Sequence, residues 1–406
     1  MTTTTNNEHK KLNVPNLRFK EFQGEWEKTT FGEIATGFDY GMNAAAKPYD
    51  GENKYIRITD IDETSSTYDD KDMVSPDGVL SDNYLVNERD ILLARTGAST
   101  GKSYLYRKTD GKLYYAGFLI RANVTTRNPY FVFSQLHTHR YWRWVSVMSA
   151  RSGQPGINSL EYSSFPIYTT SIQEENKIAK LLSLLDERIT TQNKVIEDLK
   201  KLKCAIIEQL LNCRESKKVC LGDIGSFVRG LTYSINDVVE ENGTLVMRSN
   251  NIVNGSPLDY KKNVVYVNKQ ISSEQLLQSG DVVICMANGS SSLVGKSSYY
   301  DGGCLLPITV GAFCGIYRSN EPLVKWLFQT SVYRRYIWKS LQGGNGAIAN
   351  LNSEDILRMS FNIPEASTKK RFVKLLTSTD STIKNNTRLY DLYILQKQYL
   401  LRQMFI

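Results

Sequence analysis

The sequence predicts an α+β fold: two tandem, mixed α/β globular domains, each followed by one long helix, related by an internal pseudo-twofold repeat. The first observation behind this is the repeat itself. Phe31-Gly32-Glu33-Ile34 returns as Leu221-Gly222-Asp223-Ile224, and Arg57-Ile58-Thr59-Asp60-Ile61 as Arg248-Ser249-Asn250-Asn251-Ile252. Asp90-Ile91-Leu92-Leu93 returns as Asp281-Val282-Val283-Ile284, and Gly101-Lys102-Ser103 as Gly295-Lys296-Ser297, all at an offset of about 190 to 194 residues. The second is a pair of apolar seams. Alternating steps of four and three from Ile178 pass through Leu182, Leu185, Ile189, Gln192, Ile196, Leu199, Lys203, Ile206 and Leu210. The same steps from Phe372 pass through Leu376, Thr379, Ile383, Asn386, Tyr390, Tyr393, Lys397, Leu400 and Met404. The third is length, because 406 residues suffice for two domains that each bury a core.

Taken in order, residues 1–14 read as a polar tail, Thr- and Asn-rich and without the apolar run of a signal peptide. Residues 15–168 form the first domain, with strand-like runs at Ile91-Leu92-Leu93-Ala94, Gly117-Phe118-Leu119-Ile120 and Phe131-Val132-Phe133. A helical pattern crosses 128–150, begun by Asn128-Pro129. Residues 169–213 are the first long helix. Residues 214–364 repeat the domain, with strands near 281–286 and 309–317 and a helix-like span near 321–341, and 365–406 are the second long helix. The polar interruptions of the two seams coincide, Gln192 with Asn386 and Lys203 with Lys397, as do Asp186 and Asp380. Polar seam residues of this kind fix register. A helix of 43 residues measures about 64 Å against about 34 Å for one turn of duplex DNA, which makes such a pair a candidate ruler.

Composition excludes several classes. A net charge of +8 is mildly basic and compatible with a polyanion. No apolar run approaches the roughly 20 residues of a membrane span. The six cysteines all lie at or beyond Cys204, whereas a disulfide framework would serve both copies alike, so they read as reduced thiols of a cytoplasmic protein.

Candidate enzyme motifs fail one by one. A phosphate-binding loop needs four residues between its first glycine and Gly-Lys-Ser, whereas Gly97 and Gly101 enclose three and Gly289 and Gly295 enclose five. Asn128-Pro129-Tyr130-Phe131 lacks the second proline of an amino-methyltransferase motif. The three histidines, His9, His137 and His139, have no partners at metal spacing. What remains are cations and amides interleaved with aromatics in both copies: Arg140 to Trp144 against Arg334 to Lys339, and the glycine-rich 152–157 against 343–348. Cations supply phosphate affinity and amides read bases. The candidate DNA-binding residues are therefore Arg57, Arg95, Ser99, Thr100, Lys102, Arg143 and Gln154 in one copy. In the other they are Arg248, Asn250, Asn288, Lys296, Arg335 and Asn345.

Two stretches add a resemblance. Val14-Pro15-Asn16-Leu17-Arg18-Phe19 with Gly24-Glu25-Trp26, and Gln173-Glu174-Glu175-Asn176-Lys177-Ile178-Ala179-Lys180-Leu181-Leu182 followed by Leu185-Asp186-Glu187-Arg188-Ile189, resemble the specificity subunit of type I restriction-modification systems. In the second copy Ser367-Thr368-Lys369-Lys370-Arg371-Phe372 replaces the Glu-rich helix entry. The resemblance implies two target-recognition domains, each reading half of a bipartite asymmetric site in double-stranded DNA, and an antiparallel pair of coiled-coil spacer helices. It implies no catalytic residues here, two adenine methyltransferase subunits bringing S-adenosylmethionine, and a motor-nuclease subunit bringing ATP and Mg. The competing readings are a methylation-only complex, a stand-alone nucleotide-dependent nuclease or methyltransferase, and a coiled-coil scaffold without a DNA role.

Overall fold

The structure, a computed structural model, describes residues 13–150, 155–341 and 349–406. The expected tail at 1–14 thus lies almost wholly outside the described residues. The chain forms two compact units that do not follow chain order: one takes the sequence up to Lys194 together with Thr387–Ile406, the other takes Val195–Asn386. Each long helix, Ile172–Leu211 and Ala366–Gln403, gives one half to each unit.

The first unit is centred on a four-stranded antiparallel sheet ordered Ala35–Tyr40, Leu119–Val124, Asp90–Ala94, Ser103–Leu105. Its inner strand Asp90–Ala94 is buried on both faces, which is why it reads as an unbroken apolar run. Phe31, Ile91, Leu93, Ile120, Val132, Tyr141 and Phe165 fill the core between this sheet and the helices. Glu27–Thr30 pairs with Pro166–Thr169 and ties the start of the domain to its end. The strand reading of Phe131-Val132-Phe133 is corrected: these residues lie in the helix Pro129–Gln135. All three are buried, so period cannot separate strand from helix there. The Asn128 side chain decides it, accepting the amides of Tyr130 and Phe131 at 2.9 and 3.0 Å while Pro129 takes the first helical position. A break at 136–138 follows, and then the helix His139–Met148.

The second unit repeats the plan. Its sheet runs Gly225–Arg229, Cys314–Ser319, Val282–Cys285, Ser297–Tyr299, again antiparallel throughout. The closing pair is Ser216–Cys220 with Ser360–Pro364. The helix-like span resolves into Val324–Leu327 and Ser331–Leu341. The N-caps of the equivalent helices match: Thr138 Oγ1 accepts the Tyr141 amide, and Thr330 Oγ1 accepts the Tyr333 amide.

Within each unit the two long helices meet end against start. In the first, Ile178, Ala179 and Leu182 pack with Leu401, Met404 and Phe405. In the second, Ile206, Ile207 and Leu210 share a core with Leu376, against which Phe372 packs. Both contacts require antiparallel running. Leu185, Ile189 and Ile196 are buried, whereas Leu199, Gln192, Ile383, Asn386 and Tyr390 keep partial exposure. The matching polar seam residues exchange charge: Lys397 Nζ lies 2.7 Å from Asp186 in the first unit, and Lys203 Nζ 2.7 Å from Asp380 in the second. An aromatic side chain of the globular part donates to each aspartate, Tyr130 Oη to Asp186 and Trp326 Nε1 to Asp380.

All six cysteines are free thiols. Among the described residues no helix is long and apolar enough to cross a membrane.

Candidate nucleic-acid interface

Of the sequence-predicted residues, Arg95, Ser99, Thr100 and Lys102 in the first unit and Asn288 and Lys296 in the second lie where the inner strand leaves the sheet. In the first unit Ala94 and Gly101 close a loop: the Gly101 amide donates to the Ala94 carbonyl at 3.0 Å and the Ala94 amide to Lys102 at 2.8 Å. Gly101 has φ of +93°, and a Cβ there would stand 2.8 Å from Val145 Cγ1, so only glycine fits. Tyr141 Oη donates to the Gly101 carbonyl at 2.8 Å. The second unit copies this frame. Gly295 donates to Cys285 at 2.8 Å, has φ of +78°, faces Ile337, and accepts Tyr333 Oη at 2.8 Å. Gly-Lys-Ser is thus a helix-packing corner. The Thr100, Gly101 and Lys102 amides donate to Gly97, Ala94 and Ser99, which leaves none of them to circle a phosphate.

The loops carried by this common frame differ. Residues 95–100, six in number, span it in the first unit, and residues 286–294, nine in number, in the second. In the first unit the loop is stitched to its glycine-rich neighbour, Gly97 donating to Pro155 and Ile157 to Arg95, and in the second Ala287–Asn288 pairs with Ala349–Asn350. Gln154 and Asn345 themselves lie outside the described residues.

Side-chain surroundings sort the other candidates. The Arg95 guanidinium stacks 4.8 Å from the Tyr40 ring centre, and the hydrogen bond from Ser159, helped by the Arg95 charge, holds the Tyr40 phenol below its usual pKa. Ser99 ends the short turn Gly97–Ser99, half-buried, and Thr100 is buried with its hydroxyl on the Gly97 carbonyl at 2.8 Å. Lys102 pairs with Glu63 at 2.8 Å. Arg143 and Arg335 are exposed, each two residues past the anchoring tyrosine. Asp60 takes both edges of Arg57, at 2.8 and 2.7 Å, and raises its pKa further. Asn251 stands at that place in the second unit, caps the Arg248 amide, and leaves the Arg248 side chain exposed. Asn250 is exposed, Lys296 half-buried, and Asn288 reaches Ser249 at 3.5 Å. Sequence reasoning did not single out Phe118, Phe313 and Tyr40, which border the same loops, or Arg229, which holds Tyr40's place in the second unit; the repeat would have flagged the two phenylalanines had exposure been legible. Arg140, by contrast, is held by the Pro166 carbonyl and by Gln135 and stacks on Phe165 and Tyr168, which makes it a packing residue.

Comparison with known proteins agrees with this plan. The type I restriction modification DNA specificity domain family, Methylase_S, matches twice, over residues 23–201 and 214–392. The type I restriction enzyme EcoKI specificity subunit of Escherichia coli K12 is 30% identical over 173 residues, which is 39% of this chain and 36% of that relative. The MjaVIII specificity subunit of Methanocaldococcus jannaschii is 23% identical over 324 residues, 74% of each chain. The crystal structure of the type I restriction-modification S subunit from M. genitalium shares the fold, with a TM-score of 0.62 at 14% identity over 97% of this chain and 99% of that one. The chain belongs to the family of type I restriction-modification DNA specificity proteins and carries the family's domain twice.

Proposed function

We propose that this chain is the specificity subunit of a type I restriction-modification complex in which each globular domain reads one half of a bipartite, asymmetric site in double-stranded DNA. The observation that carries the reading is one frame bearing two unequal loops. Ala94 and Gly101 repeat Cys285 and Gly295 bond for bond, yet six residues span one and nine the other. Equal scaffolds with unequal contact loops suit two different half-sites. The chain itself performs no chemistry in this reading. Two adenine methyltransferase subunits supply S-adenosylmethionine and flip the target base, and a motor-nuclease subunit supplies ATP and Mg-dependent cleavage, all in the cytoplasm. The long helices set the spacing between half-sites.

The test is binding by the complex reconstituted with its methyltransferase. One base pair inserted into the unread spacer rotates one half-site by about 34° and shifts it by about 3.4 Å, so binding should fall to the non-specific level. Unchanged binding to the lengthened site would end the proposal.

A further inference from the structure

Two phenylalanines occupy the same turn in the two units, and both are left in solvent. Phe118 is 57% exposed and Phe313 is 68% exposed. The turns match bond for bond: Leu119 donates to Ala116, and Cys314 to Gly311, each at 2.8 Å. Each Phe carbonyl accepts the first amide of the variable loop, from Arg95 at 3.0 Å and from Met286 at 2.8 Å. The next residues, Leu119 and Cys314, are buried in the sheet, so the backbone under each ring is fixed. A single exposed apolar side chain is ordinary, but the same ring exposed at the same anchored position in both copies, beside the loops that differ, calls for a partner.

The ring chemistry limits what that partner contact is. Phenylalanine has no donor or acceptor, so beyond apolar contact with a thymine methyl it reads no base edge; it stacks on bases or wedges between them. Its surroundings supply the charge a phosphate backbone requires. In the first unit Arg95 lies over Tyr40, at the end of the neighbouring strand. In the second, Arg95's counterpart is the buried Met286, and Tyr40's counterpart is the exposed Arg229, so the cation has moved to the adjoining strand while the ring stays.

We propose that Phe118 and Phe313 each insert their ring at one base step of the half-site read by their own domain; this rests on the proposed function. The experiment uses the methyltransferase-bound complex and duplexes carrying 2-aminopurine at successive positions of each half-site. The wild-type complex should raise the fluorescence at one step per half-site. Phe118→Ala should abolish it in one half-site only and Phe313→Ala in the other, each weakening binding about 10-fold. The dependence on salt should stay unchanged, because no phosphate contact is lost. Phe118→Trp, which keeps a stacking ring, should restore the signal. Alanine variants that bind and perturb the DNA as wild type does would overturn the inference, as would a loss traced by gel filtration to failed assembly with the methyltransferase. If the wild-type complex itself bound no split site, the proposed function would fall with it.

Discussion

At Arg57 and Arg248 one exchanged neighbour alters what the same side chain offers. Asp60 neutralises Arg57 through two hydrogen bonds, whereas Asn251 carries no charge and leaves the Arg248 side chain exposed, with Nη2 donating to the Asn263 carbonyl at 3.2 Å. Alanine at Arg248, Arg143 or Arg335 should therefore weaken DNA binding by the complex and lower the slope of log affinity against log salt by roughly 1 each. Arg57→Ala should alter that slope least, and a salt titration of the four variants checks both expectations. His137 supplies a second prediction. Its Nδ1 lies 2.9 Å from the Phe133 carbonyl and its Nε2 2.9 Å from Ser66 Oγ, so Nδ1 carries the proton and Nε2 accepts. Burial first, and then the Lys397 charge, push its pKa down to about 4. The unfolded ring takes up its proton near pH 6.5 and the folded one only near 4, so the unfolded chain binds more protons between these values. Stability should thus fall as pH drops from about 6.5 to about 4, by an amount on the order of 3 kcal/mol that His137→Gln removes. Urea unfolding of both chains across that range measures the difference.

Among elements, the long helices show how much their polar interruptions contribute. Lys203 and Lys397 look like defects in an apolar seam, yet each reaches the aspartate of the other helix, and an aromatic of the globular part bonds the same carboxylate. The triad locks helix register and domain docking together. Asp186→Asn should cost about 2 to 3 kcal/mol, somewhat below a fully buried pair because Lys397 and Asp186 retain some solvent contact. The exchange Asp186→Lys with Lys397→Asp should recover part of that loss in thermal melts, and no recovery would mean that Tyr130 rather than the ion pair holds the helix. These partners were half legible. The matching spacing marked both lysines and both aspartates as equivalent, but pairing of each lysine with the opposite helix's aspartate follows only from antiparallel packing. The run Phe131-Val132-Phe133 was legible in neither direction from its apolar pattern, since a buried helix and a buried strand look alike over three residues.

For the whole molecule, the expected consequence of two like frames with unlike loops is modular specificity. Replacing residues 95–100 should change the recognised bases in one half-site and leave the other half-site and the spacer untouched, which methylome sequencing of cells carrying each version reads directly. The sequence alone determined the duplication and the two long helices, because period and repetition are properties of residue order. Tertiary structure decided which residues are spent on the fold. Arg57, Thr100 and Arg140 have partners within the protein, while Phe118 and Phe313 stand in solvent. It also divided each helix between two compact units. Exposure and pairing depend on contacts between residues far apart in the chain, and no local pattern encodes them.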